Sequence, residues 1–256
     1  MAVPNTSVPQ REPIRVVGMI PARLAATRLP KKPLLDIEGK PMVQRVWERA
    51  RRAASLHEVI VATPDEEIRT VVEAFGGRVI MTAHHHRSGT DRLAEAASTI
   101  TADIIVNIQG DEPLIHPEDI DAAVRPLMDD ATLQMTSLMC PCPDEERSNP
   151  ATVKVVCSLS GDALYFSRAR IPFTRNDTGL PVMQHIGLYA YRKDFLLTFA
   201  SLTPTPLEQT EALEQLRVLE HGYRIRMVRV PRAPLSVDTP NDLARVRAII
   251  RESREE

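Results

Sequence analysis

Short apolar runs alternate with segments of helical periodicity along the first half of the chain. Runs of four to seven mainly apolar residues are typical of buried strands, and apolar positions repeated every three to four residues are typical of helices. The predicted strands of this half lie at residues 14–20, 58–62, 78–81, 104–108 and 135–139, and the predicted helices at 41–54, 65–75, 89–99 and from Pro117 onward. This alternation predicts an α/β fold with a mostly parallel, Rossmann-like sheet and helices on both faces.

The pattern changes near residue 148, where three strand-like runs follow one another without a long helix between them. They lie at residues 153–156, 163–166 and 186–191. We therefore expect a mixed or antiparallel insertion, forming a lobe at about 148–200 within a single domain of residues 14–256. The predicted elements beyond the lobe are helices at 193–201 and 206–221, a strand at 225–230 and a final helix from Pro240, with Thr205 and Thr239 as helix caps.

Composition narrows the class of protein. The 256 residues include 43% hydrophobic residues, enough for a full core, and the net charge of −2 provides no general attraction to nucleic acid or to a membrane surface. The three cysteines lack metal-ligand spacing, so we expect reduced thiols and a cytoplasmic protein. Residues 1–13 are polar and predict a disordered tail, and no apolar run approaches the roughly 18 residues of a membrane span.

The loop after the first predicted strand concentrates positive charge. Arg23, Arg28, Lys31 and Lys32 lie among prolines that restrict the backbone. A loop at the carboxyl end of a strand lies where open α/β sheets bind ligands, so these cations suit a polyphosphate. Neither Gly-x-x-x-x-Gly-Lys-Ser/Thr nor Gly-x-Gly-x-x-Gly is present, which means that side chains would hold the phosphates. A solvated basic loop is the alternative interpretation.

Two carboxylates are predicted to face that loop. Asp111 follows the apolar strand at 104–108, and Asp238 precedes the expected cap Thr239. Together they could hold Mg²⁺, which takes one or two carboxylates together with phosphate oxygens of a substrate. The alternative is that both aspartates cap turns, where this residue type is common.

Several motifs occur in order and together resemble one enzyme family. They are Pro21-Ala-Arg23, Arg28-Leu-Pro-Lys31-Lys32-Pro-Leu34, His86-Arg-Ser88-Gly89-Thr90-Asp91-Arg92, Asn107-Ile-Gln109-Gly-Asp111-Glu-Pro113, Ala163-Leu-Tyr-Phe-Ser-Arg168, His185-Ile-Gly187, Leu213-Glu214-Gln215-Leu-Arg217 and Val237-Asp238-Thr-Pro240. Over about residues 16–247 the chain resembles the 3-deoxy-manno-octulosonate (Kdo) cytidylyltransferases. The resemblance implies a fold of the nucleotide-diphospho-sugar transferase type, the substrates CTP and Kdo, Mg²⁺ as cofactor, the products CMP-Kdo and pyrophosphate for lipopolysaccharide assembly, and a homodimer.

The resemblance also implies roles for particular residues. Catalysis would rest on Arg23, Lys32, Asp111 and Asp238, the last two as the metal carboxylates. The nucleotide would contact Ala22, Arg23, Arg28, Lys32, Ser88 and Gly89. The sugar acid would contact Gln109, Arg168, His185, Tyr189, Glu214 and Gln215. Taken without the resemblance, Ser88 could cap a helix with Asp91 as its partner, and His185 could be a buried core histidine.

Three residues depart from the pattern of the family, and one of them, Gln184 beside the expected sugar pocket, leaves the identity of the acid open. Lys31 stands where glycine is usual, Asp91 where glutamate is usual, and Gln184 where an arginine often precedes the sugar histidine. An 8-amino-8-deoxy derivative of Kdo or a sialic-acid-like nonulosonate are alternative acids for the same chemistry. A catalytically silent CMP-sugar-binding subunit is a further alternative, and a glycosyltransferase is disfavoured because Asp111 is not part of an Asp-x-Asp motif.

Overall fold

The computed structural model describes residues 13–25, 29–86 and 88–255. The predicted tail up to residue 12 and the predicted nucleotide contact Arg28 lie outside these residues. The strands are β1 (Val16–Pro21), β2 (Asp36–Ile37), β3 (Lys40–Pro41), β4 (Glu58–Thr63), β5 (Arg78–Met81), β6 (Ile104–Asn107), β7 (Met135–Pro141), β8 (Lys154–Cys157), β9 (Ala163–Ser167), β10 (Met183–Arg192) and β11 (Arg226–Arg229). The helices are α1 (Met42–Ala50), α2 (Glu66–Ala74), α3 (Gly89–Ser98), α4 (Pro117–Asp129), α5 (Lys193–Ser201), α6 (Pro206–Glu211), α7 (Gln215–Glu220) and α8 (Pro240–Glu255).

One large sheet organises these elements, with the strand order β11-β7-β10-β6-β1-β4-β5. Strands β5, β4, β1 and β6 are mutually parallel, β10 runs antiparallel to both of its neighbours β6 and β7, and β11 is parallel to β7. The expected mostly parallel α/β sheet is therefore confirmed. The carboxyl ends of β1 and β6 are neighbours, and this places the basic loop beside the segment that contains Asp111.

Helices cover both faces of the sheet because successive side chains of a strand point to opposite sides. On β1, Val16 and Ile20 belong to the core under α1, α2 and α4, whereas Val17 and Met19 belong to the core under α3, α5 and α7. A third apolar cluster packs α8 against the residues around Ile37. Each large apolar side chain that is fully buried in this way contributes about 1.5–3 kcal/mol to stability.

The lobe that was predicted from the change of pattern contains an antiparallel extension of the sheet. Strand β8 pairs antiparallel with both β10 and β9. Several large apolar side chains of this region are exposed, namely those of Leu159, Leu164, Phe173 and Leu180. The thiols of Cys140, Cys142 and Cys157 are free. In the described part of the chain, no helix is both long and apolar enough to span a membrane.

Two predicted helices end earlier than expected. The helix predicted at 41–54 ends at Ala50, because the carboxylate of Asp121 on α4 accepts hydrogen bonds from the backbone N–H groups of Ala54 and Ser55. The single helix predicted at 206–221 is wrong, since the chain breaks into α6 and α7 at Ala212, which has the left-handed φ of 51°. The break turns the carbonyls of Glu211 and Ala212 toward the guanidinium of Arg168, which donates to both.

Candidate active site

The basic loop is anchored at both of its described ends. The backbone N–H of Ala22 donates to Ala62 O at 2.9 Å, and that of Leu24 donates to Asp65 Oδ2 at 2.8 Å. At the other end Lys31 adopts a φ of 55°, the left-handed region that favours glycine, and its Nζ lies 2.7 Å from Glu67 Oε1 on α2. The backbone at Lys31 therefore has a conformation in which a glycine would be unstrained, and an ion pair secures the lysine that stands there.

Lys32 points away from its neighbour, toward the two predicted metal carboxylates. Its Nζ lies 2.7 Å from Asp111 Oδ2 and 3.2 Å from Asp238 Oδ1, and its side chain is only 16% exposed. Asp238 lies just before α8, whose first turn is capped by Thr239 and Asp242 as predicted. The structure thus brings together one cation and two carboxylates that are far apart in sequence, and Lys32 is not part of a merely solvated loop.

These two carboxylates have donor atoms that suit Mg²⁺, because their oxygens converge on one cation and both side chains remain partly exposed. Among the described residues, no group of three or more His, Cys, Asp or Glu side chains could hold a metal ion. A metal at Asp111 and Asp238 would therefore take its other ligands from substrate oxygens and water, as Mg²⁺ commonly does. Gly110 lets the backbone approach Pro21 closely, since a Cβ there would lie 3.1 Å from Pro21 O, a tight contact.

Glu112 was not predicted from the sequence as part of the site. Burial, reinforced by the neighbouring charges of Asp111 and Asp119, raises the pKa of its carboxyl to about 8. Its Oε2 is buried without a hydrogen-bond partner among the described residues. Glu112 follows Asp111 in the sequence motif. Its burial could not be predicted, because a charged residue before a proline is usually exposed.

A cavity of about 430 Å³ lies between the basic loop and the start of α3. Of the predicted nucleotide contacts, those that line it are Ala22, Arg23, Lys32, Ser88 and Gly89. Arg92 lines it as well and was not predicted; burial and the nearby Arg23 lower the pKa of Arg92. Its guanidinium is held by Thr82 Oγ1 at 2.5 Å and by Ala83 O. Two guanidinium groups near each other favour the binding of a polyanion.

The start of α3 has the predicted cap. Ser88 Oγ accepts a hydrogen bond from the N–H of Asp91, and Asp91 Oδ2 accepts one from the N–H of Ser88, which together form a capping box. The capping role of Ser88 is thereby confirmed, and the same residue lines the cavity. Asp91 therefore completes the cap at its position.

A second cavity, of about 610 Å³, adjoins the first. All the predicted sugar contacts line it, namely Gln109, Arg168, His185, Tyr189, Glu214 and Gln215. Gln184, one of the three departures, is part of its wall as well. The residues that line both cavities are Pro21, Gly89, Gln109 and Asp238. The carboxylate of Asp238 therefore lies where the two cavities meet.

The strand β10 and its neighbours hold most polar groups of the second cavity in place. Ser137 Oγ lies 2.9 Å from Nε2 of His185, whose ring packs between Phe166 and Tyr189, and burial lowers the pKa of the imidazole to about 3. The Nε2 of Gln109 donates to Gly187 O at 2.8 Å. His185 is thus a neutral group, both packed like a core residue and placed in the cavity wall.

Arg168 is held by main-chain carbonyls. Its Nε donates to Glu211 O at 2.7 Å, its Nη1 to Pro150 O at 3.0 Å and its Nη2 to Ala212 O at 3.2 Å. These bonds use three of the five N–H donors of a guanidinium. The structure places Arg168 in the cavity wall, and its contact with the acid stays a prediction.

The fold and the site define the class of protein as a nucleotidyltransferase, with cations for a polyphosphate on one side of a carboxylate pair and a cavity lined by polar groups on the other. The profile of the cytidylyltransferase family matches residues 17–225. The chain is 53% identical over 245 residues to the 3-deoxy-manno-octulosonate cytidylyltransferase of Geobacter metallireducens, covering 91% of this chain and 96% of that protein. It is 51% identical to the protein of the same name from Syntrophotalea carbinolica, covering 92% and 98%. The chain belongs to the 3-deoxy-manno-octulosonate cytidylyltransferase family.

Solved structures agree with this assignment. A CMP:2-keto-3-deoxy-manno-octonic acid synthetase in complex with CTP superposes with a TM-score of 0.91 at 46% identity, covering 93% of this chain and 99% of the other. A 4-diphosphocytidyl-2C-methyl-D-erythritol synthase from Anaerococcus prevotii, 13% identical with a TM-score of 0.61 and covering 93% and 99%, shares the fold.

Proposed function

We propose that this protein transfers the cytidylyl group of CTP to 3-deoxy-manno-octulosonate. The anomeric hydroxyl oxygen of the acid forms a bond to the α-phosphorus while the bond from that phosphorus to the bridging oxygen breaks. Pyrophosphate leaves and the hydroxyl proton passes to solvent. The observation that carries the proposal is the position of Lys32 between Asp111 and Asp238, where the two cavities meet.

The first cavity is suited to CTP. Phosphoryl-type transfer requires mainly positioning and neutralisation of charge, which Arg23, Lys32 and the newly found Arg92 can provide for the triphosphate. Ser88 and Gly89 lie at the other side of this cavity, where polar groups of a tight helix start can contact the cytidine. Arg28 remains a predicted phosphate contact.

We propose Mg²⁺ as the cofactor, held by Asp111 and Asp238. When bound, it would neutralise phosphate oxygens and lower the pKa of the attacking sugar hydroxyl. The ammonium group of Lys32 would then leave Asp111 and Asp238 and bind a β- or γ-phosphate oxygen, to which its compact charge is well suited. No other base from the protein is required by this arrangement.

The second cavity is suited to a polyhydroxy acid. Its wall offers the amides of Gln109 and Gln215, the imidazole of His185 and the hydroxyl of Tyr189 for hydroxyl groups, and Arg168 for the carboxylate. Burial raises the pKa of Tyr189 well above its ordinary value and lowers that of His185, so both are neutral at physiological pH. Neutral donors and acceptors of this kind suit the hydroxyl groups of the acid.

Assembly and location complete the proposal. We propose a single nucleotidyltransferase domain over residues 14–256 with a sugar-binding and dimerisation lobe at about 148–200. The exposed apolar side chains of Leu164 on β9 and of Phe173 and Leu180 support a homodimer through this lobe, because burying exposed apolar side chains favours association. The free thiols support a cytoplasmic location.

The decisive experiment follows pyrophosphate release from CTP with Mg²⁺, with and without Kdo, and uses Asp111→Asn as the inactive control. Release that depends on Kdo supports the proposal. Release only with 8-amino-8-deoxy-Kdo or a nonulosonate would retain the chemistry and replace the acid, and the names of the relatives favour Kdo over both. Silence with every acid would contradict the proposal in favour of a non-catalytic CMP-sugar-binding subunit.

A further inference from the structure

The carboxylate of Glu214 connects the two cavities. Its Oε2 accepts a hydrogen bond from Thr90 Oγ1 at 2.6 Å, across 124 positions of sequence. Glu214 and Thr90 both line the cavity that is suited to the acid, and Ser88 and Gly89, which directly precede Thr90, line the cavity that is suited to the nucleotide. The hydrogen bond therefore ties Glu214 to the first turn of α3, whose first residues belong to the nucleotide cavity.

The second oxygen of this carboxylate is not satisfied by the protein. Glu214 Oε1 is buried without a hydrogen-bond partner among the described residues, and its nearest cation, Nη2 of Arg217, is 3.8 Å away and paired with Glu208. A buried acceptor that lacks a donor costs about 1–3 kcal/mol. A hydroxyl donor that enters the cavity would remove this cost, provided that the carboxylate keeps its orientation.

Thr90 donates a hydrogen bond to the carboxylate of Glu214, and the side chain of Ser88 also interacts with this carboxylate. Thr90 is only 3% exposed, and its neighbours Ser88 and Asp91 are fixed by the capping box. The hydroxyl of the buried Tyr191 also interacts with the Thr90 side chain. Because the capping box joins Ser88 to Asp91 on either side of Thr90, a ligand that contacts Ser88 and Gly89 would also restrict the hydroxyl that donates to Glu214.

We propose that Thr90 is a positioning residue that couples the two sites: nucleotide bound at the start of α3 increases the affinity for the sugar acid through the hydrogen bond from Thr90 to Glu214. The identities of the two ligands rest on the proposed function. By thermodynamic linkage the effect is reciprocal, so the acid increases the affinity for the nucleotide by the same factor.

The test measures the dissociation constant of Kdo by calorimetry, with and without saturating CMP, which supplies the cytidine without a reaction. The variants are Thr90→Val, which keeps the shape and removes the hydroxyl, and Thr90→Ser, which keeps the hydroxyl. The matched control is Thr136→Val, because Thr136 is equally buried and donates to a main-chain carbonyl, Ala123 O, away from both cavities.

The wild-type protein, Thr90→Ser and Thr136→Val are expected to bind Kdo at least about fivefold more tightly when CMP is present. In Thr90→Val this ratio falls toward one, while CMP alone binds with nearly the wild-type affinity. An unchanged ratio in Thr90→Val, or a wild-type ratio of one, overturns the inference and leaves the proposed function intact if pyrophosphate release still depends on Kdo. Failure of the wild-type protein to bind Kdo even with CMP overturns both.

Discussion

Nζ of Lys32 lies 2.7 Å from Oδ2 of Asp111, and the same ammonium group contacts Asp238. The three groups come from three separate loops at one edge of the sheet. A lysine in this position keeps two carboxylates close together without mutual repulsion. The same lysine lines the first cavity.

Removing either carboxylate charge is expected to abolish most of the activity and to leave the fold intact. Asp111→Asn and Asp238→Asn should each reduce the turnover number by about 10²–10³-fold, because they remove charge that stabilises the transition state. The measurement is Kdo-dependent pyrophosphate release at saturating CTP and Mg²⁺, together with a thermal melt. Asp194→Asn, an exposed change in the first turn of α5, serves as the control. Wild-type turnover in either site variant would contradict the metal assignment.

Lys32 and Lys31 are adjacent and provide a matched comparison. Lys32→Ala should raise the KM for CTP by about tenfold or more while the affinity for CMP changes little, because the ammonium serves the distal phosphates. Lys31→Ala should have little effect on the KM for CTP or on the affinity for CMP, since it removes only an exposed ion pair with Glu67 that is worth about 0–1 kcal/mol. Kinetics with CTP and titration with CMP distinguish the effects. Equal losses for both nucleotides in Lys32→Ala would exclude a role at the distal phosphates.

His185 is expected to make stability depend on pH. Burial lowers the pKa of its imidazole to about 3 in the folded protein, whereas an unfolded histidine titrates near 6.5. Between about pH 6.5 and pH 3 the unfolded chain binds a proton that the folded chain does not, so the free energy of unfolding decreases as the pH falls through this window. The contribution is fully present above about pH 6.5.

His185→Asn should remove this dependence. From pH 7 to pH 4.5 the wild-type protein is expected to lose about 1–3 kcal/mol more unfolding free energy than the variant, as measured by urea denaturation. Subtraction cancels the titration of the carboxylates, which both proteins share. His221→Asn, a change at an exposed histidine, should retain the wild-type slope. Parallel curves for wild type and His185→Asn would refute the expectation.

Lys154 supports the lobe from within. Its side chain is completely buried, its Nζ donates to the carbonyls of Asn149, Thr152 and Arg168 at 2.6–2.8 Å, and burial lowers its pKa. Lys154→Met would leave three carbonyls without this donor, and we expect a loss of about 2–4 kcal/mol in the free energy of unfolding. Since Thr152 and Arg168 line the acid cavity, the KM for Kdo should increase as well.

A second lysine provides the control for this experiment. Lys193→Met removes a donor to the single carbonyl of Ile100 and lies outside the acid cavity. Lys193→Met should lower the free energy of unfolding by about 1 kcal/mol and leave the KM for Kdo unchanged. Similar unfolding free energies for the Lys154 and Lys193 variants would contradict the supporting role of Lys154.

The sequence was sufficient for features that depend on local pattern. The alternation of apolar runs with helical periodicity predicted the central sheet, and the capping box at Thr239 was visible as a pair of residue types at fixed spacing. The strand-end positions of Asp111 and the basic loop followed from the rule that ligands bind at the carboxyl ends of strands.

Features that depend on distant contacts were not visible. The helix break at Ala212 has no glycine or proline to announce it, and its carbonyls are collected by Arg168, which lies 44 positions away in sequence. The burial of Glu112 and the role of Thr90 likewise depend on which elements pack around them. The left-handed φ of Lys31 was not predictable either, because a lysine in the sequence does not indicate this conformation. The ion pair with Glu67, on a distant element, accompanies it.

Strand β10 carries a bulge between Ile186 and Tyr189, yet His185, Gly187 and Tyr189 all line the acid cavity. These groups are spaced along a paired strand, so the insertion or deletion of one residue within it would turn the following side chains to the opposite face. Loops such as the one that carries Arg23 tolerate changes in length far better. Within β10, changes in the preferred acid would thus arise from substitutions rather than from changes in the length of the strand.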